Sequence, residues 1–169
     1  MSNAMPVESR LSAMDSLFLL AETERTHMHV AVTAIFDGGT LLNKLGGVDI
    51  DRIRAHVGAR LRSIPRYRQR LDSVPFSRRP IWVDDDRFNI AYHVRHVSLP
   101  RPGDERQLRL LAGRIKSQQL DREKPLWEMF VVEGIKTSIP LQLRILADGD
   151  FRAGRLSTRF MERFMRKDQ

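Results

Sequence analysis

Imidazole is the side chain best suited to take a proton near neutral pH, and this chain has five: His27, His29, His56, His93 and His96. His27 and His29 are two residues apart, so on a strand they share a face. Such a pair could begin a metal site, but no third ligand follows at a suitable spacing. Packing or surface roles are therefore expected for the pair, and no metal. His93 and His96 are three apart and fall on opposite faces of a strand, so they cannot grip one ligand together. His56 sits beside an apolar helical stripe and reads as a boundary residue. The acidic run Asp84-Asp85-Asp86 has the chemistry of a divalent-cation site, but a solvated turn explains it better. No nucleophile elbow, phosphate loop or dinucleotide fingerprint occurs. Cysteine is absent, which excludes disulfides, zinc-thiolate sites and thiol nucleophiles.

The elements that would hold these groups alternate between helix and strand. Ser12 with Asp15 resembles a capping box ahead of Leu17, Phe18, Leu19 and Leu20, and predicts a short helix. His29 to Phe36 is β-branched and reads as a strand, broken by Asp37-Gly38-Gly39. Asp49 or Asp51 caps a helix with Ile53, Val57, Leu61 and Ile64 on one face, ended by Pro65. Arg66 to Leu71 is a basic connector, and Pro80 to Val83 a short extended piece. Tyr92 to Leu99 alternates as a strand. Asp104 opens a helix with Leu108, Leu111, Ala112 and Ile115 inward. Leu126 to Ile135 is the strongest strand, with Leu141 to Leu146 expected as its neighbour. Arg152 to Lys167 reads as a basic amphipathic helix with Leu156, Phe160 and Phe164 on its apolar stripe. This order favours an α/β (α+β) layered domain, a mixed sheet with flanking helices.

At 169 residues a single domain with a sizeable core is expected. Met1 to Ala4 looks like an expression scar, which leaves 5–169 as the domain. No run of about 18 apolar residues is present, and the N-terminus lacks a secretory pattern, so a cytoplasmic location is expected. The net charge is +8, with 24 arginines against 5 lysines. That balance suits a polyanionic partner, although a GC-rich genome inflates arginine in the same way. The C-terminal basic helix could lie on an anionic membrane or simply pack its stripe on a sheet.

Four stretches together resemble the bacterial wax ester synthase/diacylglycerol acyltransferase family. They are Leu11 to Leu19; Met28-His29-Val30 with Ile35-Phe36-Asp37; Ile64 to Leu71; and Asp121 to Glu128, which contains the signature Pro125-Leu126-Trp127. The resemblance covers about 11–135. It implies the N-terminal part of a chloramphenicol-acetyltransferase-like fold that transfers an acyl group from acyl-CoA, as co-substrate, to a diacylglycerol or long-chain alcohol. It implies no bound cofactor. It also implies contact with the inner face of the membrane or a lipid-droplet surface.

That family's motif is His-His-x-x-x-Asp-Gly, whose second histidine acts as general base. Here the corresponding stretch, 143–149, has Leu143 and Arg144 where the histidines belong. Leucine has no titratable group and arginine stays protonated, so neither can be that base. Asp148 and Gly149 remain, and are expected to shape a turn. Residues 136–142 share little with the family, and the second half of the family fold is not in the sequence. The expectation is a truncated relative with little or no activity alone. An active half needing a second polypeptide is the alternative. A basic lipid-surface or nucleic-acid module ranks last, because aromatic residues are only 7 %. A sheet that ends early leaves an uncovered edge, so self-association is expected. Light scattering should report oligomers, and a monodisperse monomer would sink that expectation.

Overall fold

The computed structural model describes residues 10–73, 80–155, 157 and 159–166. The expected scar and Leu156 lie outside them, as does Lys167. Helix α1 (Ala13–Ala21) begins at a capping box: Ser12 Oγ accepts from Asp15 N at 3.1 Å, and Asp15 Oδ2 accepts from Ser12 N at 3.3 Å. Helix α2 (Ile50–Leu61) is capped by Asp49, which accepts from Arg52 N at 3.1 Å. Past α2, the expected basic connector opens as a 3-10 turn, Pro65–Arg68, because Pro65 is preset for a first helical turn, and ends in a strand. Strands β1 (Gln69–Asp72) and β2 (Ile81–Asp84) pair antiparallel.

A short helix α3 (Ile90–His93) leads into β3 (Val94–Ser98), so Tyr92 and His93 precede the strand instead of opening it. Helix α4 (Glu105–Lys116) has a second capping box, Asp104 with Gln107, and buries Leu108. It crosses over to β4 (Met129–Glu133), which pairs parallel to β3 from Val94↔Met129 to Ser98↔Glu133. That is a strand-helix-strand unit, the usual solution for parallel neighbours. Arg54 Nε donates to Val94 O at 3.0 Å and ties α2 to this pair. The expected mixture of strands and flanking helices is present, with the strands arranged as two separate pairs among the described residues.

Three expected elements differ. His29 to Phe36 forms no strand. Its β-branched residues have no ladder partner among the described residues, and Val30 is 92 % exposed. A strand needs a neighbouring edge as well as propensity. The segment's entry is held instead by its histidines: His27 Nε2 donates to Ser117 O at 2.8 Å and His29 Nε2 to Lys116 O at 3.0 Å. The rings stack at 5.7 Å and close off the carbonyl end of α4.

Leu141 to Leu146 is helical, inside α5 (Ile139–Ala147). Leu141, Leu143 and Ile145 alternate as a strand would, but Leu141 and Ile145 also share a helical face. Pro140 in the first turn, followed by good helix formers, decides for helix. The single C-terminal helix is two: α6 (Gly149–Arg152) and α7 (Phe160–Arg166). Gly154, at φ +68°, turns the chain out of α6. Phe160 and Phe164 are buried as a stripe, stacked at 5.7 Å, and Asp150 joins the two helices through Arg155 at 3.0 Å and Arg163 at 2.8 Å.

The turns after β3 and β4 meet backbone to backbone. Gly103 (φ +71°) and Gly134 (φ +86°) lie against each other, and Lys136 N donates to Gly103 O at 2.7 Å. A Cβ on Gly103 would run into the Gly134 carbonyl oxygen. Gly103→Ala should therefore destabilise the fold by at least ~2 kcal/mol, from left-handed strain plus the clash. Gly58→Ala, with open space around it inside α2, should be neutral or stabilising. Urea titration of both variants checks the pair.

Candidate functional site

Strand β4, α1, α2, α4 and the unpaired segment at 28–36 border an apolar cavity of about 1530 Å³ that is open to solvent on one side. Phe18 and Leu19 of α1, Leu111 and Ile115 of α4, and Phe130 and Val132 of β4 supply its walls. The polar groups on the wall include His29, His56, Arg52 and Lys116.

Leu126 and Trp127 of the Pro-Leu-Trp signature line this cavity, while Pro125 is buried behind them. Trp127 is held on several sides. Its Nε1 donates to Tyr67 O at 2.8 Å, and Tyr67 packs edge-on at 5.8 Å. On the other side His93 stacks against it at 4.6 Å, with Phe88 stacked on the far face of His93 at 5.1 Å and Tyr92 edge-on.

His93 is 1 % exposed. Its Nδ1 lies 2.8 Å from Trp127 O, and a carbonyl can only accept, so Nδ1 carries the proton. Nε2 is then a buried lone pair with no partner. Burial holds the His93 pKa below its ordinary value, against the raising influence of the Trp127 bond and of Glu128 and Asp85. The sequence-based reading weighed His93 against His96, and missed its pairing with Trp127 because that contact spans 34 residues. His96 instead meets Glu133 at 3.3 Å.

Two carboxylates brace the region. Glu133 accepts from Val48 N at 3.0 Å and from Ser98 Oγ at 2.7 Å; these bonds and His96 lower its pKa. Glu22 is raised by burial but lowered on balance by Arg122 at 2.7 Å, Gln119 and the Met28 N–H. The acidic run is mixed. Asp84 accepts from Gln69, while Asp85 is buried, caps Arg87 N at 3.0 Å and leaves Oδ2 unpartnered.

The stretch 143–149 lies elsewhere and does not line the cavity. Leu143 is exposed on α5, and Arg144 sits 5.1 Å above the Phe164 ring. Asp148 caps α6 by accepting from Asp150 N at 2.9 Å and Phe151 N at 3.1 Å. Gly149 opens that helix with free space around it. The turn they make joins two helices, not the strand and helix expected.

The model of the wax ester synthase/diacylglycerol acyltransferase catalytic domain matches residues 11–139. The chain belongs to this family. It is 40 % identical over 129 residues to the probable diacylglycerol O-acyltransferase tgs3 of Mycobacterium tuberculosis, covering 76 % of this chain and 46 % of that protein. It is 36 % identical over 133 residues to tgs1 of the same organism, covering 77 % and 27 %. The wax ester synthase/diacylglycerol acyltransferase from Marinobacter aquaeolei VT8 superposes with a TM-score of 0.53 at 26 % identity, over 76 % of this chain and 31 % of that one. The chain thus spans less than half the length of these relatives. The match supports the chloramphenicol-acetyltransferase-like fold expected from the family resemblance.

A neutral His93 has a pH consequence. Its folded pKa lies below the unfolded value of about 6.5, so its contribution is complete above that value and declines as pH falls toward the folded pKa. Urea titrations at pH 7.5 and 5.5 should show the wild-type losing more stability than His93→Gln. Parallel slopes for the two would remove His93 from the acid response.

Proposed function

We propose that the chain is the acyl-holding part of an O-acyltransferase that works on acyl-CoA and a diacylglycerol or long-chain alcohol. The observation that carries this is the apolar cavity lined by Leu126 and Trp127 of the Pro-Leu-Trp signature, in a chain of this family. A cavity of about 1530 Å³ is roomy enough for a long acyl chain, since ligand pockets run to about 1,000 Å³. Arg52 and Lys116 on its wall suit the anionic end of a CoA thioester.

In the reaction, the alcohol oxygen bonds to the thioester carbonyl carbon, the C–S bond breaks, and CoA leaves as the thiol. A base must take the alcohol proton, because an unassisted alcohol is a poor nucleophile at neutral pH. Neither Leu143 nor Arg144 can do so, and both stand away from the cavity. The chain by itself therefore binds acyl donor and turns over little or none. A second reading rests on His56, which lines the cavity and has no hydrogen-bond partner among the described residues. It would serve as a substitute base.

The test uses palmitoyl-CoA and dioleoylglycerol. Palmitoyl-CoA should change the emission of Trp82 and Trp127, the chain's two tryptophans, both on the cavity wall. CoA release should stay at background, and Leu143→His with Arg144→His should not raise it. An unchanged emission with no measurable binding defeats the acyl-holding reading. Turnover that disappears in His56→Ala selects the second reading over the first.

A further inference from the structure

Residues 28–36 pass the cavity edge-on. All nine border it, whereas a strand face would present only every second residue. Among the described residues, no backbone N–H or carbonyl of 29–36 has a hydrogen-bond partner. The segment is placed from its ends instead. His27 and His29 hold its start on the carbonyl end of α4, and Asp37 accepts from Gly39 N at 3.1 Å in the turn after it. Between those ends the even-numbered apolar side chains stand in solvent: Val30 is 92 % exposed, Val32 87 % and Phe36 75 %.

This is the composition and the unpaired backbone of a strand that lacks a neighbour. The charge pattern selects which neighbour. Thr26 to Phe36 is the longest stretch of the chain without Asp, Glu, Lys or Arg. The chain carries +8 overall, so two copies repel on average. The groove of about 940 Å³ beside α1, for instance, is bordered by Arg70, Arg87, Arg122 and Lys124, and a two-fold contact there would set cation against cation. At 28–36 a two-fold contact meets no such cost. We propose that two copies of the chain pair antiparallel through 28–36, with Val32 of one copy opposite Val32 of the other. In that register Val30 faces Ala34 and Met28 faces Phe36, so the large exposed side chains share one side of the ribbon.

Sedimentation velocity of the full chain tests it. The wild type should form a dimer and go no further, since a two-fold contact closes. Val32→Lys and Val32→Glu should each raise the dissociation constant at least ~tenfold, because each sets like charges directly opposite. Circular dichroism should not change, since the side chain is 87 % exposed. Mixing the two variants should restore a dimer, because lysine then meets glutamate. Leu45→Lys, at a 95 % exposed residue outside the segment, should leave the dimer intact. The proposal is overturned by a wild type that stays monomeric or grows beyond a dimer, by a dimer indifferent to Val32→Lys, or by a mixture no more dimeric than its components. If the neighbour is a strand of another protein, the first of these outcomes appears. Sedimentation is read without palmitoyl-CoA, and tryptophan emission on the wild type in any oligomeric state, so this inference and the acyl-holding reading fail separately.

Discussion

The contact between His93 and Trp127 governs the middle of this molecule. A 2.8 Å bond from Nδ1–H to the Trp127 carbonyl combines with a 4.6 Å ring stack. His93 immediately precedes β3, and Trp127 lies two residues before β4. The contact therefore sits at the point where the parallel register begins, Val94 against Met129. It also turns the indole toward the cavity, where the Tyr67 carbonyl holds the other edge of the ring. One interaction thus links the strand pairing to the apolar wall. It requires a neutral imidazole, because a charged ring sealed among Phe88, Tyr92 and Trp127 would lose its hydration.

Features set by near neighbours were readable from the sequence. The capping residues Ser12, Asp49 and Asp104, the inward face of α4 and the placement of β2 all follow from local spacing. The failures share a cause, which is dependence on distant partners. His29 to Phe36 has a strand's composition without a strand's neighbour. Leu141 to Leu146 satisfies both periodicities, and Pro140 just before it settles the choice. The role of His93 depends on a carbonyl 34 residues away. The available signal was indirect: a histidine flanked by Phe88 and Tyr92 in a chain with only two tryptophans, one of them in a signature motif. The signature itself was readable, and Leu126 and Trp127 do reach the cavity.

Membership in the family and possession of its chemistry rest on different parts of the chain. The family match ends at Ile139, and the altered stretch begins after it, on α5 and α6. There Asp148 has an ordinary local duty, capping a helix, which any Asp-Gly turn before a helix could perform. The cavity is lined by no residue of α5 or α6. The cavity wall and the altered motif are therefore separate parts of this chain, and sequence identity over the first does not carry the second.

Helix α1 shows how polar contacts can position a surface without covering it. Its start is set by the Ser12 capping box and the buried Leu11; its end by Arg122, which reaches Leu19 O at 3.2 Å and Glu22 at 2.7 Å. None of its apolar side chains is buried to do this. The transfer free energy of those side chains, about 25 cal/mol for each Å² removed from water, is largely unrealised in the folded chain. A helix anchored by hydrogen bonds at both ends keeps that gain for whatever apolar phase meets it. The same geometry gives one helix a side toward the apolar cavity and a side toward a second groove, with Leu19 bordering both spaces.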